Sequence, residues 1–194
     1  LRPLMRRCEE AQLKLRVIPA VDELLHGSFR VQIRDVEIND LLGRDAIELN
    51  CDAIDHMLAG RTVLVTGSGG SIGSEICRQV LRFRPRKLVL LERAENSLFL
   101  VERELRAGQY ETALCACVAD IRDETRMSEI FRQHRPDVVF HAAAFKHVPL
   151  MEDNPGEAIK NNVLGTRQLV EMADRFGVGN FVMISTDKAV NPSS

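Results

Sequence analysis

From residue 61 onward, short apolar runs alternate with amphipathic segments, and this alternation constrains the fold more than any other feature. Runs rich in β-branched and aliphatic residues are predicted as strands over 62–66, 87–91, 112–118, 138–141 and 181–185. The segments between them, with apolar residues at helical spacing, are predicted as helices over 71–83, 96–107, 124–133 and 155–176. Such alternation is typical of right-handed crossovers between parallel strands. The sequence therefore predicts an α/β fold with a doubly wound parallel sheet.

Composition excludes several classes of protein. The 26 basic and 28 acidic residues give a net charge of −2, which provides no electrostatic surface for nucleic acid. No apolar run approaches the roughly 18 residues that a helix needs to span a bilayer. The five cysteines are scattered without the spacing of a zinc site. We therefore expect reduced thiols, no metal site and a cytoplasmic segment.

The strongest chemical signal is the run Thr66-Gly-Ser-Gly-Gly-Ser-Ile-Gly73, which lies between the first strand and its helix. A diphosphate can approach main-chain amides and a helix N-terminus only where side chains are absent. In this context the glycine spacing predicts a dinucleotide-binding turn of the Rossmann type, and the alternative is a glycine-rich turn without a ligand. The predicted contact residues are Gly67, Ser68, Gly70, Ser71, Ile72 and Gly73.

Glu92 ends the second strand, 19 residues after Gly73. An acidic residue at this position can accept hydrogen bonds from the adenosine ribose and repel a 2′-phosphate. Arg93, the next residue, could instead attract such a phosphate. We expect NAD as the cofactor, with NADP as the less favoured choice. The alternative is that Glu92 is a solvated carboxylate at a strand end.

Further candidates follow the third and fourth strands, at the sheet edge where ligands bind in open parallel sheets. Asp120 and Ile121 could reach the adenine edge, although Asp120 or Asp123 could equally cap the following helix. The fourth strand is followed by small residues that leave room for a flat ligand, namely Ala142, Ala143 and Ala144.

Polar residues also mark the last helix and the last strand. Asn162 shares an apolar helical stripe, where it could brace the next strand or organise a catalytic water chain beside the cofactor, whereas Asn161 falls off that stripe. The fifth strand ends in Ser185-Thr186-Asp187-Lys188. This run brings a hydroxyl, a carboxylate and an ammonium group to the expected nicotinamide position. A surface ion pair between the aspartate and the lysine is the alternative.

Residues 1–59 do not follow the strand–helix alternation. They predict a helix over 3–12 and a strand over 14–18, which cannot enclose a core by themselves. We expect the end of a preceding α/β domain over 1–35, a connector over 36–60, and an NAD(P)-binding domain, truncated at its C-terminus, over 61–194.

These motifs resemble the extended short-chain dehydrogenase/reductase superfamily. The longer strings over 66–75, 144–149 and 185–192 are similar to those of the CapD-like polysaccharide biosynthesis proteins, and the resemblance covers about residues 36–194. It implies a nucleoside-diphosphate-sugar 4,6-dehydratase that acts on UDP-N-acetylglucosamine. It also implies a parent protein that is homo-oligomeric and anchored in the inner membrane, with its catalytic domain in the cytoplasm.

The resemblance also implies roles for individual residues. Lys188 would be the base at sugar C5, Asp187 the acid that protonates the departing 6-hydroxyl, and Thr186 a hydrogen-bond partner of the 4-hydroxyl. The substrate contacts implied in the same way are Lys146 and His147. The family's Tyr- or Met-x-x-x-Lys pair would follow Ser194, so we expect this chain to be a catalytically incomplete part of the enzyme.

Two other functions stay open at this point. A sugar-nucleotide C4 epimerase would share the oxidation at C4 but would need neither a C5 base nor a C6 acid. A non-catalytic NAD(P)-binding module would bind the dinucleotide without turnover. The run Thr186-Asp187-Lys188 favours dehydration, because it supplies both the acid and the base.

Overall fold

The computed structural model describes residues 11, 16–17, 34–35 and 50–185. The chain divides into two compact units, Leu1–Leu49 and Asn50–Ser194. In the first unit, strand β1 (Arg16–Val17) pairs antiparallel with β2 (Arg34–Asp35). The predicted helix over 3–12 lies outside the described residues except at residue 11. The assignment of residues 1–35 to a preceding domain and of 36–60 to a connector stays a prediction.

The second unit is built on a five-stranded parallel sheet in the order β5-β4-β3-β6-β7. Its strands are β3 (Thr62–Thr66), β4 (Lys87–Glu92), β5 (Ala113–Val118), β6 (Val138–His141) and β7 (Asn180–Met183). Its first helices are α1 (Cys51–Leu58), α2 (Ser71–Leu81), α3 (Glu95–Ala107) and α4 (Glu124–His134). After β6 come α5 (Val148–Asp153), α6 (Pro155–Ala158), a π-helix (Ile159–Gly165) and α7 (Thr166–Arg175). The predicted doubly wound parallel sheet is therefore confirmed.

Both faces of the sheet are covered, which explains why its central strands are apolar without interruption. All five residues of β3 are buried, and so are the four central residues of β4. Alternate side chains of a strand point to opposite faces. Leu64 therefore packs in one cluster with residues of α4 and α7, whereas Val63 and Val65 pack in another with residues of α1, α2 and α3.

The predicted helix over 155–176 is correct in extent but not in geometry. It consists of the short helix α6, the π-helix and α7, which follow one another without a break. A π turn adds one residue to a helical turn, so it changes which side chains face inward downstream of it. The continuous α-helical spacing assumed from the sequence is therefore wrong across residues 159–165. No helix in the described part of the chain is long and apolar enough to cross a membrane.

A buried histidine joins β3, β6 and α7. The Nδ1 atom of His141 lies 2.7 Å from the hydroxyl of Thr66, and its Nε2 atom lies 2.8 Å from the hydroxyl of Thr166. The ring is 4% exposed, and this burial lowers the pKa of His141 from 6.5 to about 4. The folded protein therefore holds this histidine in its neutral form.

This pKa predicts a loss of stability in mild acid. Between pH 6.5 and pH 4 the unfolded chain binds a proton at His141 that the folded chain does not bind, so stability falls as the pH falls through this window. From pH 7 to pH 5 we expect His141 to lower the free energy of unfolding by about 2 kcal/mol. Urea unfolding at pH 7 and at pH 5 measures this change in the free energy of unfolding. The His141→Gln variant should lack this part of the pH dependence.

The exposed His56 supplies the control. His56→Gln should leave the difference between pH 7 and pH 5 unchanged. A wild-type protein and a His141→Gln variant with the same pH dependence would contradict the prediction.

Candidate functional site

A cavity of about 150 Å³, open to solvent at its mouth, lies at the carboxyl edge of the sheet. Its walls come from the segments that follow β3, β4, β5 and β6 and from the π-helix. Nine residues predicted from the sequence line it: Gly67, Gly70, Glu92, Arg93, Asp120, Ile121, Ala142, Ala143 and Ala144. The cavity thus lies where open parallel sheets bind their ligands.

The turn after β3 brings bare main chain to this cavity. Gly67 has a φ of +66°, and a Cβ atom on it would lie 2.8 Å from the carbonyl group of Ala142. A Cβ atom on Gly73 would overlap the carbonyl oxygen of Gly67. Helix α2 therefore packs directly on the turn only because both positions are glycine.

The N-terminus of α2 is available to an anion. Gly70 is its N-cap residue, and no side chain caps the first turn. Uncapped amides and the helix dipole both favour negative charge at this position. Two further predicted residues, Ser71 and Ile72, are exposed on this turn. The residues present therefore fit the pyrophosphate of a dinucleotide.

Ser68 is fully buried behind the turn. Its main-chain amide donates to the carbonyl of Leu91 at 3.2 Å, which ties the turn to the end of β4. Its hydroxyl has no hydrogen-bond partner among the described residues. A buried hydroxyl without a partner is unfavourable, so this group has hydrogen-bonding capacity that the described residues do not use.

The carboxylate of Glu92 is bound to main-chain amides. Its Oε1 atom accepts hydrogen bonds from the amides of Arg93 and Ala94 at 2.9 and 3.1 Å, and its Oε2 atom accepts one from Gly69 at 3.2 Å. These main-chain donors hold the carboxylate in place at the strand end, and its role toward an adenosine ribose stays a prediction. The side chain lies in the cavity wall and reaches back to the glycine-rich turn.

Arg93 connects two walls of the cavity. Its guanidinium group lies 3.6 Å from the carboxylate of Asp120 and 5.1 Å from the centre of the Phe145 ring. A cation over an aromatic face is attracted by the ring electrons. The side chain is half exposed. The charge that could attract a 2′-phosphate is thus already engaged by a carboxylate and a ring.

Asp120 is held mainly by Arg122. The Nε and Nη2 atoms of Arg122 donate to its two carboxylate oxygens at 3.0 and 2.8 Å, and these bonds lower the pKa of Asp120. Asp123, not Asp120, caps α4, because its carboxylate accepts the amide of Arg126 at 2.9 Å. Of the two capping alternatives, the structure supports Asp123.

Two adjacent asparagines of the π-helix hold the segment after β6. Asn162 accepts the amide of Phe145 and donates to its carbonyl oxygen, both at 2.9 Å. Asn161 is 6% exposed, lines the cavity, and donates to Asn162 at 3.0 Å and to Ala143 at 3.4 Å. Asn162 therefore braces the segment after β6 rather than the next strand.

Asn161 is one of the cavity residues that the sequence did not predict. At α-helical spacing it falls off the buried stripe, but the π turn brings both asparagines inward. The α-helical spacing of apolar residues therefore gives no indication that Asn161 is buried. Phe145 is also not predicted, because its main chain is bound by Asn162 of the same π-helix.

The remaining predicted residues either are exposed or lie outside the described residues. Lys146 and His147 are exposed, and His147 is the N-cap residue of α5. Thr186, Asp187 and Lys188 follow the last described residue, Ser185, and lie outside the described residues. Their catalytic roles stay predictions.

Known proteins are similar to this chain in sequence. A family model described as polysaccharide biosynthesis protein matches residues 63–194. The capsular polysaccharide biosynthesis protein CapD of Staphylococcus aureus is 47% identical over 189 residues, which are 96% of this chain and 32% of that protein. An inverting UDP-N-acetylglucosamine 4,6-dehydratase of Campylobacter jejuni is 35% identical over 137 residues, 70% of this chain and 39% of that protein.

A solved structure supports the same relationship. A UDP-glucose 4-epimerase of Stenotrophomonas maltophila, with bound NAD and formylated UDP-arabinopyranose, is similar with a TM-score of 0.57 and 28% identity. The similarity covers 66% of this chain and 38% of that chain. This chain thus spans about a third of the length of the relatives it matches. By its family match and its fold, the chain belongs to the CapD-like polysaccharide biosynthesis proteins of the extended short-chain dehydrogenase/reductase superfamily.

Proposed function

We propose that the protein carrying this chain modifies sugar nucleotides, and specifically that it is a UDP-N-acetylglucosamine 4,6-dehydratase in polysaccharide biosynthesis, such as that of capsule or O-antigen. The observation that carries the proposal is the cavity lined by bare glycine main chain, because this dehydration requires a dinucleotide. The similarity to the dehydratase of Campylobacter jejuni supports the reaction. The parent protein is proposed to be homo-oligomeric and anchored in the inner membrane, with this segment in the cytoplasm.

The proposed cofactor is NAD. The uncapped turn of α2 and the main chain at Gly67 and Gly70 would hold its pyrophosphate. Glu92 would face the adenosine ribose, where a carboxylate repels a 2′-phosphate. Arg93, already engaged by a carboxylate and a ring, would be less available to NADP.

Other cavity residues would complete the dinucleotide site. Asp120 and Ile121 would flank the adenine, and Asn161 would lie near the other end with Ala142 and Ala143. When bound, the cofactor supplies a hydride acceptor for oxidation at sugar C4 and a hydride donor at C6. Substrate and product therefore differ by one water molecule.

The acid–base steps are proposed for the run that follows β7. Oxidation at C4 makes the C5 proton acidic, and Lys188 would remove this proton. Asp187 would donate a proton to the departing 6-hydroxyl, which leaves as water, and C5 would regain a proton once C6 is reduced. These two protons balance the two that are released from the 4-hydroxyl and from C5. Thr186 would hold the 4-hydroxyl, while Lys146 and His147 would contact the substrate from the segment after β6.

A C4 epimerase is the second candidate function. The similarity to the UDP-glucose 4-epimerase of Stenotrophomonas maltophila favours it, because that protein was solved with NAD and a UDP-sugar. The run Thr186-Asp187-Lys188 favours dehydration instead, because epimerisation needs no C5 base. A non-catalytic NAD(P)-binding module is the third.

The reaction product distinguishes these functions. The full-length protein with NAD and UDP-N-acetylglucosamine should yield a 4-keto-6-deoxy sugar nucleotide, which nuclear magnetic resonance of the product identifies. The C4 epimer of the substrate would instead identify an epimerase. Binding of NAD without any product would identify a non-catalytic module. Either result would contradict the proposed dehydratase.

Removal of the proposed base should stop the reaction after oxidation. In the full-length protein, Lys188→Ala should lower kcat by about 100-fold to 10,000-fold, the range for loss of a general base, and leave the Kd for NAD nearly unchanged. Exchange of the C5 proton with deuterated solvent reports on the base directly. The control is Lys160→Ala, because Lys160 pairs with Glu157 on an exposed surface. Normal C5 exchange in the Lys188 variant would exclude Lys188 as the base.

Closing the glycine turn should weaken cofactor binding. In Gly73→Ala, the new methyl group overlaps the carbonyl oxygen of Gly67, so the turn must move away from α2. We expect at least about a tenfold rise in the Kd for NAD, which corresponds to one misplaced strong contact. Calorimetric titration with NAD and with NADP measures this loss and the expected preference for NAD.

Gly156→Ala is the matched control, because a Cβ atom on Gly156 meets nothing within 4 Å. Its Kd for NAD should equal that of the wild type. Wild-type affinity in Gly73→Ala would show that the turn does not bind the cofactor.

A further inference from the structure

Glu92 makes contacts that recognition of a ribose does not require. All three of its hydrogen bonds come from main-chain amides, and one of these amides, that of Gly69, belongs to the glycine-rich turn. Hydrogen bonds to an ionised carboxylate are roughly twice as strong as neutral ones. Two of these bonds, from Arg93 and Ala94, hold the carboxylate in place, and the third attaches the turn to it through Gly69.

Packing reinforces this attachment. A Cβ atom on Gly69 would lie 3.0 Å from Cγ of Glu92 and 2.6 Å from Cβ of Ser97 in α3. On the other side of the turn, Gly67 lies against the main chain of Ala142. The turn is thus held between the end of β4 with α3 and the end of β6, and Glu92 supplies the hydrogen bond on the first side.

We propose that Glu92 is a positioning residue for the pyrophosphate-binding turn as well as a neighbour of the adenosine ribose. This inference rests on the proposed dinucleotide site. Through the Gly69 amide, the carboxylate fixes the turn whose main chain faces the diphosphate. Loss of the carboxylate then weakens the binding even of ligands that do not contact Glu92.

Chemical removal of the ribose hydroxyls separates the two roles. The ligands are NAD and an NAD analogue that lacks both hydroxyls of the adenosine ribose, and the proteins are the full-length wild type and Glu92→Gln. The glutamine keeps the size of the side chain but leaves one oxygen acceptor and places an NH₂ group against main-chain donors. For a positioning residue we expect the Kd of both ligands to rise about tenfold.

Equal affinity of the two proteins for the analogue would overturn the inference. If Glu92 acts only through the ribose hydroxyls, the analogue binds wild type and Glu92→Gln with the same Kd. The control Glu95→Gln removes one exposed acidic side chain from the first turn of α3, close to Glu92 in the chain. It should leave both Kd values unchanged. This result would show that the loss of one negative charge does not by itself weaken binding.

Hydrogen exchange tests the same attachment without any ligand. In Glu92→Gln and Glu92→Ala, the amides of Gly69, Arg93 and Ala94 should exchange faster than in the wild type and in Glu95→Gln, while strand β5 exchanges as before. Unchanged exchange at Gly69 in both variants overturns the inference. A wild type that binds neither ligand would contradict the proposed cofactor site, and the exchange experiment would still decide whether Glu92 holds the turn.

Discussion

The close approach of main chain to main chain at the end of β3 is the contact on which the site depends. The chain leaves the central strand, turns at Gly67 and enters α2, and Gly73 lies directly against the turn. Any side chain at these two positions would separate the helix from the sheet. The same absence of side chains leaves amides facing the cavity, so packing and anion binding have one physical cause.

The walls of the cavity are held together by contacts between different loops. The carboxylate of Asp120 lies between two arginines that reach it from the segments after β4 and β5. Arg122 also pairs with Glu157 of α6. Arg93 also lies over the ring of Phe145, whose main-chain amide donates to Asn162 of the π-helix. These contacts form a continuous chain from Asn162 through Phe145, Arg93, Asp120 and Arg122 to Glu157. Partly exposed pairs of this kind contribute little to stability one by one, so we expect this chain of contacts to matter for the geometry of the site.

Much of this was predictable from local patterns, and the parts that were not have physical reasons. The strands, the glycine turn and nine lining residues follow from the apolar alternation and from the rule that ligands bind at the carboxyl ends of parallel strands. The role of Asn161 does not follow from such patterns, because a π turn changes the helical period and no residue type specifies a π turn. The amide contacts of Glu92 were also missed, since a sequence shows which groups can accept hydrogen bonds but not which donors the fold brings to them.

The π-helix determines which side of α7 meets the sheet. Its extra residue is taken up within the wide turn, so the residues that follow face as they would after an α-helix one residue shorter. If the same residues were wound as a regular α-helix, Leu169 and Met172, now 1% and 2% exposed, would turn by about 100° and away from the sheet. The wide turn therefore lets one continuous helix face inward both with the asparagines that hold the segment after β6 and with the apolar residues that pack on the sheet.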